Sequence, residues 1–165
     1  MIWIRHVLAF AVLPFTVTIV VPVWLARRSA MRFAPGENAV ELTIQAAGLM
    51  ALTLGMTLFV ASLHHFIVHG RGTLAPWDPP RRLVVIGPYR YVRNPMISGV
   101  VFILAGEALL LLSWPHLEWM LVFLAINLIY IPLVEEPMLE QRFGEPYRVY
   151  KQRVRRVIPR VRPLP

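Results

Sequence analysis

Apolar residues in this chain gather into four long stretches that are separated by short polar segments. Residues 7–26, 42–63 and 119–134 contain no Lys, Arg, Asp or Glu, and residues 95–114 contain only Glu107. A helix that crosses a bilayer needs about 20 apolar residues, because each residue adds about 1.5 Å and the hydrocarbon core is about 30 Å thick. The pattern therefore predicts an all-α fold, a polytopic membrane helical bundle of about four transmembrane helices. The shorter fourth stretch also fits a buried helix of a soluble protein.

The helices are predicted to form a single membrane domain, residues 1–165, whose two halves differ in chemistry. Residues 1–68 form an apolar N-terminal hairpin, while residues 70–165 hold nearly all the polar chemistry. The first stretch is longer than the apolar part of a signal peptide, and no small-x-small cleavage site precedes the polar residues 27–32. We therefore expect a retained helix.

Proline and glycine mark the segments between the helices. The loop HGRGTLAPWDPPRRLVVIGPYR, residues 69–90, is too rich in both for a helix, and RRLVVI within it is predicted to be extended. Pro95 suits the first turn of the third helix, and SWPH at 113–116 is predicted to be the turn before the fourth. After Pro137, apolar residues recur every three or four positions, which predicts one or two amphipathic helices at the membrane surface. The closing VIPRVRPLP is predicted to be irregular.

Composition and charge agree with a membrane protein and give it an orientation. Hydrophobic residues make up 57% of the chain, charged residues 16%, and the net charge is +8. With four spans, 14 of the 17 Lys and Arg residues fall at the termini and in the central loop. The positive-inside rule then places these regions in the cytoplasm. Arg27, Arg28 and Arg32 lie on the other side and oppose this orientation for the first hairpin.

The same composition narrows the partners. Beside four membrane spans, a basic tail indicates contact with anionic membrane lipids rather than nucleic acid, and no obligate protein partner is evident. The chain has no Cys, which excludes disulfides, thiolate nucleophiles and Cys-ligated metals. His65 and His69 have the spacing of a metal pair on a helix, but no third ligand is evident. We interpret them as interfacial histidines and predict no metal site.

Two polar blocks are predicted to meet at one end of the bundle. GPYRYVRNPMISG, residues 87–99, precedes the third helix, and VEEPMLEQRFGEPYRVY begins where the fourth helix ends. Two successive spans return to the same side of a membrane, so these blocks share an interface. Adjacent carboxylates Glu135 and Glu136 suit an ammonium or ribose hydroxyls, Tyr89 and Tyr91 suit a heterocycle or sulfonium, and open N–H groups near Asn94 suit a carboxylate or phosphate. Alternatively, the Arg and Glu residues simply pair and anchor the spans.

The two blocks at this spacing resemble the integral-membrane methyltransferases of the isoprenylcysteine carboxyl methyltransferase family, of which the phospholipid N-methyltransferases are relatives. The resemblance covers residues 72–162, and the first hairpin matches only in being two apolar helices. It implies S-adenosylmethionine bound at the cytoplasmic end of the last helices, a lipid-borne or small hydrophobic methyl acceptor entering from the bilayer, and direct displacement at the sulfonium carbon. The cofactor-binding residues that it implies are Arg81, Arg82, Leu83, Val84, Tyr89, Asn94, Pro95, Met96, Ile97 and Glu135.

The sequence departs from the family pattern at three positions. Asn94 replaces a histidine, which retains hydrogen bonding but not basicity. Ile97 replaces a tyrosine, and Ile131 replaces an arginine attributed to substrate carboxylate recognition. The last difference argues against a prenylcysteine carboxylate as the acceptor.

Catalysis and acceptor binding have their own candidates. Glu136 is the candidate for proton removal from an amine or thiol acceptor, and Asn94 is the second catalytic candidate, in place of the family histidine. Glu107 inside the third span either faces the acceptor cavity or bonds to Asn127 of the fourth, and both are candidate substrate residues. The alternative functions are an NADPH-dependent membrane reductase of sterol-reductase type, and a non-catalytic membrane scaffold.

Overall fold

The computed structural model describes residues 11–29, 33–70, 81–157 and 159–164. These residues form helices and contain no β-strand. The helices are α1 (Ala11–Val20 continuing as Val21–Arg28), α2 (Ala39–Gly70), α3 (Pro95–Leu110), α4 (Trp114–Tyr130 continuing as Ile131–Glu135), α5 (Glu136–Phe143) and α6 (Glu145–Arg153), with a 3₁₀ turn at Gly87–Arg90 before α3. An all-helical fold agrees with the prediction from hydropathy.

Proline accounts for the irregular parts of two helices. The first ten residues of α1 and the last five of α4 have π-type hydrogen bonding, and they contain Pro14 and Pro132. A proline has no N–H to donate and its ring clashes with the preceding turn, so the helix widens locally instead of ending. Pro132 and Pro137 do not end the helix, so α4 continues directly into α5. The fourth span was predicted to end at residue 134 and a separate surface helix to follow Pro137; the structure instead has one continuous helix.

Two of these helices are long and apolar enough to cross a membrane. They are Ala39–Gly70 and the continuous Trp114–Phe143, while Pro95–Leu110 is apolar but shorter. Many large apolar side chains on the two long helices face outward, among them Val60, Ile126 and Leu133. Such extended apolar exposure is typical of a surface that contacts lipid. The first predicted span includes residues 7–10, which lie outside the described residues.

Glycine lets α2 and α3 pack with their backbones in close contact. A Cβ on Gly55 would lie 2.6 Å from the Ile103 amide nitrogen and 2.7 Å from the Gly99 carbonyl oxygen. Small residues at a crossing allow this approach, which gives dispersion contacts where no hydrophobic effect operates between helices. Beside the crossing, Phe59 of α2 packs with Val100 and Leu104 of α3.

Polar side chains tie α1 and α4 together. The Trp119 Nε1–H donates a 3.0 Å hydrogen bond to the Val17 carbonyl, and the His116 Nε2 lies 3.2 Å from the Pro22 carbonyl oxygen. The His116 Nδ1 lies 2.6 Å from the Ser113 hydroxyl, which also caps α4. The turn was predicted at SWPH, residues 113–116, but the chain reverses at residues 111–113, where Leu112 has a positive φ. Ser113 caps the next helix, so α4 already begins at Trp114.

A second core lies beneath the C-terminal region. Tyr147, Tyr150 and Val154 are buried together, and Leu139 and Leu164 pack against them. The predicted spacing of apolar residues after Pro137 thus faces a common core. Residues 154–157 and 159–164 have no regular structure, as predicted, and their backbone binds the segment before α3.

Candidate active site

The segment before α3 turns at one glycine and is hydrogen-bonded to α6 through one tyrosine. Residues 83–85 have no regular secondary structure, Ile86 has an extended backbone, and the chain then turns at Gly87, which has φ +55°. A Cβ on Gly87 would lie 2.4 Å from the His65 ring, so both the backbone angle and the space require glycine. The buried Tyr89 follows, and its carbonyl accepts a 2.8 Å hydrogen bond from the Tyr150 hydroxyl.

The C-terminal tail supports this segment from the other side. The Arg93 amide donates to the Arg155 carbonyl at 3.0 Å, and the Arg160 amide donates to the Tyr91 carbonyl at 2.9 Å. The Leu164 amide donates to the Arg90 carbonyl at 3.1 Å, and the Arg90 Nε donates to the Leu164 carbonyl. These bonds satisfy the backbone groups of an irregular segment that would otherwise be loosely held.

A cavity of about 470 Å³ lies between this segment, the helices and the C-terminal region. Its volume is in the range of small-molecule and cofactor sites, about 300–1,000 Å³. One group of lining residues is polar or phenolic: Arg82, Tyr89, Arg93, Asn94, Asn127, Tyr130, Glu135, Tyr147 and Tyr150. The other is apolar: Pro14, Val17, Phe59, Phe66, Leu83, Val84, Met96, Ile97, Val100, Phe123, Met138, Leu139 and Phe143. The cavity therefore reaches from the polar end of the bundle into its apolar core.

Most of the predicted cofactor residues line this one cavity. They are Arg82, Leu83, Val84, Tyr89, Asn94, Met96, Ile97 and Glu135. Arg81 is exposed and does not line it, and Pro95 is buried at the start of α3. The structure thus brings together residues from both polar blocks.

Two lining residues have polar groups that no described residue uses. The Asn94 side chain does not cap α3, although Asn94 precedes its first residue. Within the described part of the chain, the Glu135 carboxylate takes part in no hydrogen bond or ion pair. An amide and a carboxylate that face a cavity without partners are available to a ligand.

The neighbouring Glu136 has a different environment. It does not line the cavity, and its side chain is only 3% exposed. Arg156 donates to it from Nε at 2.7 Å and from Nη2 at 3.0 Å, and the Lys151 Nζ lies 3.4 Å away. The Arg93 Nη1 lies 2.9 Å from Glu136 Oε1. A carboxylate held by three cations is a poor base, so the structure favours a role in holding these side chains over the predicted proton removal.

Glu107 and Asn127 are separated by the structure. Asn127 lines the cavity, and its Nδ2 donates to the Phe123 carbonyl of its own helix at 2.8 Å. Glu107 does not line the cavity, and its Oε2 is buried without a hydrogen-bond partner among the described residues. No hydrogen bond joins the two within the described ranges, so of this pair only Asn127 is placed to contact a ligand.

Three tyrosines of the cavity wall, Tyr89, Tyr147 and Tyr150, remain neutral at physiological pH. Burial raises the pKa of Tyr147 to about 12; the Glu136 charge adds to this, while the Arg93 guanidinium opposes it. Burial also raises the pKa values of Tyr89 and Tyr150. These side chains can therefore offer hydrogen bonds and ring faces but no phenolate base.

Several lining residues have no predicted ligand role. Arg93 belongs to the polar block at residues 87–99 without a role of its own there, and the apolar spacing after Pro137, which comprises Leu139, Phe143, Tyr147 and Tyr150, predicts only a packing face. The periodic face does pack, and it also forms one wall of the cavity. The three aromatic residues of this face, which lie close to the Glu135–Glu136 block in the sequence, were the available signal.

The comparison with known families decides the classification. A family model described as phospholipid methyltransferase matches residues 43–146, well over half of the chain. The chain belongs to the phospholipid methyltransferase family. The match confirms the resemblance seen in the two polar blocks, and it begins earlier, within α2, so part of the N-terminal hairpin also belongs to the family region. No curated protein and no solved structure gave a significant match.

Family membership, together with the two long apolar helices, indicates a membrane protein with methyltransferase activity. The matched region contains the segment before α3, Glu135 and the α5 wall of the cavity. It ends at residue 146, so Tyr147, Tyr150 and the supporting tail lie outside it.

Proposed function

We propose that this chain is an S-adenosylmethionine-dependent methyltransferase that transfers a methyl group to a lipid-borne or small hydrophobic acceptor. The observation that carries the proposal is the cavity, which joins uncommitted polar groups to an apolar interior in a chain of this family. A soluble, charged methyl donor and a lipophilic acceptor need these two environments side by side.

The residues present fit the donor. Glu135 has free oxygens that can accept from ribose hydroxyls or an ammonium, and Asn94 offers an amide with both donor and acceptor capacity. Tyr89 and Tyr147 present ring faces, which attract a sulfonium. When bound, this cofactor supplies an electrophilic methyl carbon for direct displacement.

The protein's own contribution is positioning and exclusion of water. Phe59, Val100 and Phe123 surround the inner part of the cavity with apolar surface, which favours an acyl or isoprenoid chain over water. Asn127 supplies one amide within that wall, next to which an acceptor heteroatom can be oriented. Holding two reactants in attack geometry in such a site accounts for rate enhancement without a covalent intermediate.

We further propose a multi-pass protein with four spans, with the cavity mouth and both termini in the cytoplasm. The distribution of Lys and Arg supports this orientation, and the basic C-terminal tail would then contact anionic membrane lipids. We propose neither a nucleic acid nor an obligate protein as a partner.

Transfer of labelled methyl groups tests the proposed activity. The protein is purified, reconstituted in nanodiscs of its host lipid extract, and incubated with methyl-labelled S-adenosylmethionine. We expect label in the lipid-extractable or volatile fraction, and its absence with Glu135→Gln. Saturable binding of NADPH without any binding of S-adenosylhomocysteine would contradict the proposal and favour the reductase. Binding of neither would favour the scaffold.

A further inference from the structure

Arg93 is a buried cation that faces the cavity with unused donors. It lines the cavity, and its side chain is only 9% exposed. Its Nε and Nη1 are buried and have no hydrogen-bond partner within the part of the chain that the structure describes. Buried guanidinium groups normally have their donors satisfied, because a buried N–H without an acceptor is costly even where the charge itself is paired. The wall is therefore incomplete without an acceptor at this point.

The surroundings hold Arg93 in place without using up its donors. Its backbone amide is bound to the Arg155 carbonyl at 3.0 Å. Its Nη1 lies 2.9 Å from Glu136 Oε1, so the two attract as charges, but this contact is not a directed hydrogen bond. Glu136 is itself fixed by two hydrogen bonds from Arg156.

The cations around Glu136 differ in their access to the cavity. Arg93, Lys151 and Arg156 all contact the carboxylate of Glu136, and the Lys151 Nζ also lies 3.5 Å from Glu140 Oε2. Of these three cations, only Arg93 lines the cavity. Arg82, the other lining arginine, is exposed.

We infer that Arg93 is the oxyanion-binding residue of this cavity, with Glu136 as its positioning residue, and that it binds a carboxylate or phosphate group of a ligand. A guanidinium presents two parallel N–H groups, a geometry that matches both oxyanions. Glu135 lines the same cavity and offers the opposite charge, which suits a ligand with both an anionic and a cationic or hydroxyl-bearing part. This inference rests on the proposed function, which offers two ligands that could supply the oxyanion. One is the cofactor, through the carboxylate of its amino-acid moiety, and the other is a phospholipid acceptor, through its phosphate.

Binding to Arg93 variants tests the inference and separates the sources. Affinities are measured for S-adenosylhomocysteine, its decarboxylated analogue and dihexanoyl phosphatidylethanolamine, using wild type, Arg93→Gln and Arg93→Lys in detergent. Arg142→Gln, which removes an exposed arginine of α5, is the matched control. Thermal unfolding of each ligand-free variant reports folding. If Arg93→Gln does not fold, the comparison is read from Arg93→Lys, which keeps the charge but loses the paired donors.

A carboxylate ligand predicts that Arg93→Gln weakens S-adenosylhomocysteine about 10- to 100-fold while leaving the decarboxylated analogue unchanged. A phosphate ligand predicts the same loss for the phospholipid with both nucleosides unaffected. Equal weakening of both nucleosides, no change for any probe, or failure of the wild type to bind either class overturns the inference. If the wild type binds the phospholipid through Arg93 but does not bind S-adenosylhomocysteine, the inference about Arg93 holds and the proposed cofactor is refuted.

Discussion

The Tyr150 hydroxyl donates a 2.8 Å hydrogen bond to the backbone carbonyl oxygen of Tyr89. This bond joins α6 to the 3₁₀ turn before α3, two segments that lie 61 residues apart in the chain. Both residues are buried and both line the cavity. Tyr150, which lies outside the family-matched residues 43–146, thus holds the segment at Tyr89, which lies inside them.

Removing this hydrogen bond should loosen the site. Tyr150→Phe leaves the buried Tyr89 carbonyl unpaired, which costs about 1–3 kcal/mol. We expect lower thermal stability in detergent and weaker binding of S-adenosylhomocysteine. Tyr91→Phe is the control, because Tyr91 is exposed and does not line the cavity. Equal stability of the two variants would show that the bond contributes nothing.

Glu136→Gln should destabilise the protein more than a neighbouring change of the same kind. It leaves Arg93, Lys151 and Arg156 without their shared carboxylate, and breaking a buried ion pair costs about 3–5 kcal/mol. Glu145→Gln removes only an exposed pair with Arg148 and should cost about 1 kcal/mol or less. Thermal unfolding measures both variants. A Glu136→Gln protein of wild-type stability that lacks activity would instead restore its role as a base.

The close crossing of α2 and α3 predicts a strong effect of a single methyl group. In Gly55→Ala the new Cβ would lie 2.6 Å from the Ile103 amide nitrogen, which belongs to a rigid helix. Forcing the helices apart should cost about 1–3 kcal/mol, although alanine favours the helical backbone. Ala46→Val enlarges an exposed residue of the same helix and should be nearly neutral. A neutral Gly55→Ala would contradict the crossing geometry.

Buried tyrosines predict a loss of stability at alkaline pH. The Tyr147 pKa is raised from 10.0 to about 12 in the folded protein, so between these values the folded state retains a proton that the unfolded chain releases. The associated stability is complete below about pH 10 and is lost as the pH rises through about 12. Ultraviolet titration of tyrosinate should show that Tyr147→Phe removes a late-titrating group. If Tyr147→Phe instead loses tyrosinate absorbance that develops near pH 10, the raised pKa of Tyr147 is refuted.

The four apolar stretches and the two polar blocks predicted much of this molecule. Helical hydropathy depends on local composition, so the helices near the predicted spans and the helix start at Pro95 could be foreseen. Parity of the last two spans placed Glu135 and Asn94 at one end, and both line the cavity. The turn before α4 was misplaced because Ser113 and Pro115 begin a helix there.

Other features depend on tertiary contacts that no pattern reveals. Two adjacent glutamates look alike in sequence, yet Glu135 lines the cavity and Glu136 binds Arg156 from an irregular tail. The unused donors of Arg93 appear only when its burial and its partners are both known. The long rod through Pro132 was missed because proline usually ends a helix, whereas here the helix widens.

Calorimetric titration with S-adenosylhomocysteine, using wild type and Glu135→Gln, tests whether this cavity binds the cofactor. Glu135 has no protein partner among the described residues, so the variant should keep its stability while losing a ligand contact. Glu118→Gln, an exposed change in α4, is the control. We expect saturable binding to wild type that weakens about 10- to 100-fold in Glu135→Gln alone. Undiminished binding in Glu135→Gln, or no binding to wild type, would contradict it.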